Sequence, residues 1–199
     1  MRDRNSNVNY NIIEDPKADT WEPKSSEQVA DCRVFKVRRD ICVRASDCKE
    51  SDFFVIDSPD WVNVVPVTPN KEIVMIEQFR PGTRSTILEL PGGIIDDGEE
   101  AENAAARELA EETGFTSDIW TRIGTSHPNP AIQSNTIHYF LALDCERTAE
   151  PSFDPNESIV TRLVSETRID GLIAAGKITH SLIVAAFHYY DLYRSHRNL

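Results

Sequence analysis

The chain has 199 residues, of which 40% are hydrophobic, and a formal net charge of −12 from 33 acidic and 21 basic residues. This length suits one well-buried domain with at most a small appended one. The acidic balance disfavours nucleic acid and anionic membrane surfaces as partners. No stretch of the sequence has the apolar length of a signal peptide core or a transmembrane helix, so we expect a cytoplasmic protein.

The N-terminal half begins polar and becomes strand-like. Residues 1–30 are low in apolar content and carry Pro16 and Pro23, so this segment is expected to be poorly ordered alone. The segments CRVFKVRRDICVRA, DFFVID, WVNVVPV and EIVMIEQF then alternate apolar and polar residues, with turn residues between them. This pattern predicts a run of antiparallel strands.

A loop and a helix follow the next predicted strand, TILELP. Pro91, Gly92, Gly93 and Gly98 mark the loop, because a segment this rich in glycine and proline is unsuited to a strand or helix. Strong helix formers and a four-residue apolar spacing predict a helix over residues 99–113. Its first turn is acidic, and Gly114 follows as a residue that can end a helix in the left-handed conformation.

The C-terminal part contains two more predicted strands and two more predicted helices. The strands are IHYFLALD and SIVTRLV, the first helix is RIDGLIAAG ending at Gly176, and the second runs from Ser181 to Tyr193. This order of elements predicts an α+β domain in which a mixed sheet is covered by helices on its faces.

The cysteines and histidines show no metal-binding pattern. The four cysteines lack a Cys-x-x-Cys pair, so reduced thiols are predicted rather than a zinc site or disulfides. For each of the five histidines, core packing or surface placement is the default expectation. The histidines are His127, His138, His180, His188 and His196.

Three carboxylates on the predicted central helix suggest a metal site. Glu108, Glu111 and Glu112 stand at positions i, i+3 and i+4, so a helix brings them to one side, where they repel each other. A divalent cation reverses that repulsion, because magnesium, manganese and calcium prefer oxygen ligands. A solvated acidic face explains the charge equally well, but it gives no reason for Arg107 or for the flanking glycines.

The whole pattern resembles the Nudix box, here residues 93–115. Its specified positions are filled by Gly93, Glu99, Arg107, Glu108, Leu109, Glu111, Glu112, Gly114 and Phe115. The resemblance implies an α/β/α sandwich with a mixed sheet, in which residues 71–199 form the Nudix hydrolase domain. It also implies that residues 31–70 are a small strand-rich portion of the kind that related diphosphatases use to form homodimers.

The resemblance also assigns roles within the box. Glu108 and Glu112 are expected to bind Mg²⁺ or Mn²⁺ directly, Glu111 to share a metal or orient its water, and Gly92 to offer its carbonyl oxygen. Structural roles are expected for Gly93, Glu99, Arg107 and Gly114. Of these, Arg107 and Glu99 are expected to hold the loop against the helix through a charge-assisted hydrogen bond.

The segment EQFRPGTRSTILELPGG resembles the approach to the box in ADP-ribose pyrophosphatases. This implies that Arg80 contacts a substrate phosphate or ribose, although a surface arginine after a strand is an equal alternative. Glu89 is expected near substrate and metal, or else as an outward-facing strand residue. Pro130 lies near the spacing of a proline that accompanies ADP-ribose specificity, whereas Gln133 replaces a glutamate found in several relatives.

The general base is assigned by the same resemblance to a loop after the box. Glu157, in the segment FDPNESIV, is the first candidate, and Glu111 is the second. Loop glutamates are usually only solvated, so the alternative for Glu157 is a surface residue without a catalytic role.

Three functions fit these patterns. The first is magnesium-dependent hydrolysis of a nucleoside diphosphate sugar, such as ADP-ribose to AMP and ribose 5-phosphate. The second keeps the chemistry with another substrate, such as a GDP-sugar or a dinucleotide. The third is a non-catalytic nucleotide-sensing module, which the full set of box carboxylates argues against.

Overall fold

The computed structural model describes residues 18–153 and 158–197. The chain divides into two compact units, residues 1–55 and residues 56–199. The boundary falls near the end of the third strand, which runs from Glu50 to Asp57.

The first unit contains a three-stranded sheet. Its strands are β1 (Trp21–Asp31), β2 (Lys36–Arg44) and β3 (Glu50–Asp57), in the order β1-β2-β3. β1 and β2 are antiparallel, with Trp21 opposite Arg44 and Asp31 opposite Lys36. The polar segment of residues 1–30 therefore contains a strand that its composition does not predict. Pairing with β2 satisfies the backbone of β1, which needs no apolar side chains for this.

The second unit contains eight strands and three helices among its described residues. The strands are β4 (Trp61–Pro66), β5 (Glu72–Arg80), β6 (Ser85–Glu89), β7 (Phe115–Thr116), β8 (Ile119–Ser126), β9 (Ile137–Leu143), β10 (Glu146–Arg147) and β11 (Ile159–Ser165). The helices are α1 (Ala101–Thr113), α2 (Ile169–Ala174) and α3 (Ser181–Arg197), with a 3₁₀ turn at Glu166–Arg168. β8 and the two-residue strands β7 and β10 were not predicted from the sequence.

The strands of the second unit form three small sheets. Their orders are β11-β5-β6, β4-β9-β8 and β10-β7. β4 runs parallel to β9, with Trp61 opposite Ile137 and Val65 opposite Leu141. The predicted run of antiparallel strands is therefore wrong at β4. The sequence pattern shows a strand but not its partner, and the partner of β4 lies more than 70 residues later in the chain.

The two long helices pack against opposite faces of the sheet β4-β9-β8. Ala105 and Leu109 of α1 share one apolar cluster with Val64 of β4, whereas Ile183 of α3 shares another with Val65. Because neighbouring residues of a strand point to opposite faces, α1 and α3 lie on opposite sides. The predicted α+β fold, with a mixed sheet covered by helices, is confirmed.

The end of α1 follows the prediction. Gly114 has a φ of 73° and its N–H donates to the carbonyl of Ala110, which closes the last turn. Among the described residues, no helix combines the length and apolar character needed to cross a bilayer. All four cysteines are free thiols.

Candidate active site

The loop before α1 is held by the edge of β4. The N–H of Val62 donates to the carbonyl of Gly93 over 2.9 Å, and the N–H of Ile95 donates to the carbonyl of Asp60 over 2.9 Å. A β-bridge between Trp61 and Ile94 lies between these two bonds. The loop therefore continues the sheet on the edge of β4 opposite β9, where main-chain hydrogen bonds hold it.

Two carboxylates of α1 reach the glycine pair of this loop. The N–H of Gly92 donates to Oε2 of Glu112 over 3.0 Å, and the Glu112 side chain is buried. A Cβ on Gly93 would lie 2.3 Å from Oε1 of Glu108. Both carboxylates therefore meet at Gly92–Gly93, and the close approach of Glu108 explains why residue 93 has no side chain.

Arg107 links the loop to several acidic residues. Its Nε and Nη2 donate to the two carboxylate oxygens of Glu99, over 3.1 and 3.0 Å, and Nη2 also donates to the carbonyl of Ile94 over 3.0 Å. Its Nη1 lies 2.8 Å from Glu108 Oε1 and 3.3 Å from Glu111 Oε2. One guanidinium thus ties the loop to the helix and touches two of the three predicted metal-binding carboxylates.

These ion pairs shift the titration of both Arg107 and Glu99. Hydrogen bonding to Glu99 raises the pKa of Arg107 well above its ordinary value, against an opposing effect of burial. The hydrogen bond from Arg107 lowers the pKa of Glu99, again against burial, and the N–H of Asp96 adds to the lowering. Both groups are therefore charged near neutral pH.

The three box carboxylates differ in their surroundings. Glu112 and Glu108 meet at the glycine pair, whereas the Glu111 side chain is 48% exposed and is paired with Arg107. Within residues 18–153 and 158–197, no three histidine, cysteine or acidic side chains lie together as a complete metal site. Glu108 and Glu112 still fit a divalent ion, because two carboxylates reach one dipeptide and hard ions prefer oxygen ligands.

A second cluster of charged and polar side chains, separate from the one around Arg107, joins the ends of β5 and β6 to α3. Glu89 is almost fully buried, at 1% exposure, and its Oε2 accepts hydrogen bonds from Nε and Nη2 of Arg80 over 2.8 and 2.7 Å. Its Oε1 lies 2.6 Å from Nδ1 of His180, the residue before α3. Burial would raise the pKa of Glu89, but the bonds from His180 and Arg80 outweigh it and lower the pKa below its ordinary value.

Sequence reasoning missed His180. The sequence predicts core packing or surface placement for this histidine, but its ring is hydrogen-bonded to the buried carboxylate of Glu89, 91 residues earlier in the chain. No local spacing indicates this contact, since it depends on how α3 is placed against the sheets.

The remaining predicted residues lie elsewhere. Pro130 is exposed in the loop before β9, and the N–H of Gln133 donates to the carbonyl of Asn129 over 2.8 Å. Gln133 also forms a parallel bridge with Ile56. The main-chain contacts that hold this loop run to Ile56 rather than to the two charged clusters described above. Glu157 lies outside the described residues.

The chain is similar to one domain family, to two named relatives and to one solved structure. The match to the NUDIX domain covers residues 58–187, which include the sheet and loop of residues 58–94, all of α1 and the first seven residues of α3. The chain is 39% identical to the ADP-ribose pyrophosphatase of Bacillus subtilis (strain 168) over 94 residues, 47% of this chain and 51% of that protein. It is 32% identical to the ADP-sugar pyrophosphatase of Mus musculus over 151 residues, 71% of this chain and 69% of that protein.

The match to the bacterial protein thus spans about half of that protein's length. A solved structure described as an ADP compounds hydrolase superposes with a TM-score of 0.79, at 22% identity over 89% of this chain and 95% of that chain. At that identity the likeness shows the fold alone. The domain match covers more than half of the sequence and includes the loop and helix described above. The chain belongs to the NUDIX domain family.

Proposed function

We propose that this protein is a metal-dependent hydrolase of the diphosphate bond in nucleoside diphosphate sugars. The observation that carries the proposal is the convergence of Glu108 and Glu112 on the Gly92–Gly93 pair, which β4 fixes in place. ADP-ribose is the first substrate to test, with AMP and ribose 5-phosphate as its products. The names of the relatives from Bacillus subtilis and mouse support this substrate class.

Magnesium is the proposed metal, with manganese as the alternative. Glu108, Glu112 and the carbonyl of Gly92 are its proposed ligands, with Glu111 as a further carboxylate on the same helix. When bound, such an ion neutralises phosphate charge and lowers the pKa of a coordinated water. Arg107 holds the loop and the helix together, so that the two carboxylates keep their place at the glycine pair.

Substrate binding is assigned first to Arg80. Two N–H groups of its guanidinium donate to one oxygen of Glu89, and the side chain remains 40% exposed. The other donors of the fork suit a phosphate or ribose oxygen. Glu89, Pro130 and Gln133 are the further proposed contributors to the substrate site. Glu89 acts by holding Arg80, and the other two lie in a loop that the backbone fixes.

Two carboxylates are proposed as general bases. Glu157 is the first, on the basis of the family resemblance and its position in the sequence after the box, and Glu111 is the second, because it is half exposed on the metal-binding side of α1. Glu157→Gln and Glu111→Gln distinguish them. The variant that loses the fall in rate at acidic pH, where protonation inactivates the base, identifies the base.

A substrate screen tests the proposed function. Purified protein is incubated with Mg²⁺ and, separately, ADP-ribose, other ADP-sugars, GDP-sugars, dinucleotides and nucleoside triphosphates, and the products are separated by chromatography. We expect AMP from ADP-ribose, and chelation of the metal by EDTA should abolish its release. A full panel without any Mg²⁺-dependent hydrolysis would refute the proposal.

A homodimer in the cytoplasm is proposed as the working form. Several apolar side chains of the first unit are exposed, including Val34 at 59% and Phe54 at 56%, and burial against a second copy would remove them from water. The four free cysteines suit a reducing compartment.

A further inference from the structure

The N-terminal end of α3 meets the end of β6 through a short hydrogen-bonded chain. His180 donates from Nδ1 to Glu89 Oε1, and Arg80 donates to Glu89 Oε2. Each oxygen of one buried carboxylate therefore holds a different side chain. The consecutive strands β5 and β6 and the distant helix α3 therefore converge on Glu89.

The proton on His180 follows from the geometry. An ionised carboxylate only accepts hydrogen bonds, so the 2.6 Å contact requires a hydrogen on Nδ1. The ring is then either the Nδ1–H tautomer or the imidazolium, and it donates to Glu89 in both forms. This bond does not depend on the charge of the histidine.

The backbone of His180 is fixed as well. Its carbonyl accepts from the N–H groups of Ile183 and Val184, both over 3.1 Å, so the residue is built into the first turn of α3. The position of α3 is set in turn by apolar packing of Leu182, Ile183 and Phe187. The imidazole is thus a donor on a rigid support, and its side chain is 34% exposed.

Arg80 differs from His180 in its side chain, because its backbone is likewise held, by pairing opposite Ser85 and by a hydrogen bond from the N–H of Thr83. Arg80 is the last residue of β5, its side chain is 40% exposed, and the described polar partner of that side chain is Glu89. A carboxylate held at one oxygen only can rotate, and the guanidinium bonded to its other oxygen would rotate with it. A second bond to Oε1 prevents this rotation.

We propose that His180 is a positioning residue, which locks the carboxylate of Glu89 and thereby holds the guanidinium of Arg80 in the orientation that binds the substrate diphosphate. The inference rests on the proposed function for its substrate. It assigns to His180 no contact with substrate and no proton transfer. Loss of the histidine should therefore weaken substrate binding more than it slows the chemical step.

Steady-state kinetics with ADP-ribose test this role. In His180→Ala we expect KM to rise about 10-fold, the order expected for losing a hydrogen bond to a charged group, while kcat changes by less than about threefold. His180→Asn keeps a side-chain N–H donor near the position of Nδ1 and should restore KM to within about threefold of the wild-type value. Ser195→Ala, on the exposed end of α3, is the matched control and should change neither constant.

A double-mutant cycle separates positioning from a general structural effect. If His180 acts through Arg80, then His180→Ala should add almost nothing to the KM of Arg80→Ala. Additive effects of the two substitutions would overturn the inference, as would an unchanged KM in His180→Ala. Melting temperatures and circular dichroism confirm that each variant is folded.

A measurement on the free protein keeps this inference separate from the proposed function. In protein labelled with ¹⁵N-arginine, the Nε–H of Arg80, assigned by comparison with Arg80→Lys, should give a slowly exchanging signal in wild type and His180→Asn. That signal should exchange faster in His180→Ala. Equal exchange in all three proteins would overturn the inference, even if ADP-ribose is hydrolysed. A wild-type protein that hydrolyses no nucleotide would refute the proposed function, and the exchange measurement alone would then decide whether His180 positions Arg80.

Discussion

The carboxylate of Glu108 occupies the space that a side chain on Gly93 would fill, with only 2.3 Å between Glu108 Oε1 and an ideal Cβ at residue 93. At the neighbouring Gly92, a Cβ would instead lie 2.1 Å from the main-chain carbonyl oxygen of Val62. The two glycines are therefore required for different reasons. One makes room for a functional side chain, and the other makes room for a strand.

Gly93→Ala should reduce activity with little loss of stability. The atom in the way is the end of a flexible side chain, so Glu108 can rotate aside, and we expect the free energy of unfolding to change by less than about 1 kcal/mol. Hydrolysis of ADP-ribose should fall by about 10–100-fold, because a proposed metal ligand is displaced. Urea unfolding and initial rates over a Mg²⁺ titration measure the two effects.

Gly92→Ala should reduce stability more than Gly93→Ala does. Its Cβ meets a backbone atom that cannot rotate aside, so we expect a loss of about 1–3 kcal/mol in the free energy of unfolding. Equal stability of the two alanine variants would show that the different surroundings of Gly92 and Gly93 have no energetic consequence.

Glu112→Gln should abolish most of the activity and leave the protein folded. The amide oxygen of glutamine can still accept from Gly92 N–H, so the loop keeps its anchor, but the negative charge is lost. Substitutions next to metal ligands cost about 10–100-fold, and a direct ligand should cost at least the upper end of that range. Glu102→Gln, exposed on the first turn of the same helix, is the control and should keep full activity. Unchanged turnover in Glu112→Gln would contradict the ligand assignment.

The ion pair of Glu99 with Arg107 should make stability depend on pH in the acidic range. The folded protein lowers the pKa of Glu99 below its ordinary value of 4.5. A depressed carboxyl pKa stabilises the folded state at pH values above 4.5, and this contribution disappears as pH falls through the lower, folded-state pKa. Glu99→Gln should therefore be less stable than the wild type near neutral pH.

Urea unfolding of both proteins between about pH 7 and about pH 3 tests this dependence. The difference in unfolding free energy should shrink as pH falls below the ordinary pKa of Glu99. Glu102→Gln should show no such convergence with the wild type. A constant difference for Glu99→Gln at every pH would contradict the predicted dependence.

The oligomeric state can be tested on the exposed apolar residues of the first unit. Light scattering should give twice the mass of one chain, and Phe54→Glu should shift it toward the mass of a single chain. Ile119→Glu, which changes a residue of 46% exposure in the second unit, is the matched control. A wild-type protein that scatters as a single chain would refute the proposed dimer.

The features that the sequence predicts best are local. α1 and its end at Gly114 follow from helix propensity, apolar spacing and one glycine within about fifteen residues. The placing of Glu108 and Glu112 on one side of α1 depends on the same short segment, although the glycine pair that they meet is held by β4. These features are predictable because the residues that make them are close together in the chain.

The features that it does not predict depend on long-range contacts. The strand β1 is polar, and its partner β2 makes it a strand. His180 carries no local signal, because its importance comes from Glu89, 91 residues earlier. The parallel direction of β4 depends on β9 in the same way. A periodic pattern shows what kind of element a segment forms, but not what that element will meet.

The pairing of β4 with β9 also limits when the second unit can fold during translation. β4 is complete at Pro66, whereas its parallel neighbour β9 ends only at Leu143. The loop before α1, which comes between these residues in the sequence, occupies the other edge of β4. On the ribosome, the nascent chain can therefore form α1 and the loop before it while β4 still lacks its partner β9. Ribosome-bound chains truncated between these two points should leave one edge of β4 open to chaperones and to aggregation.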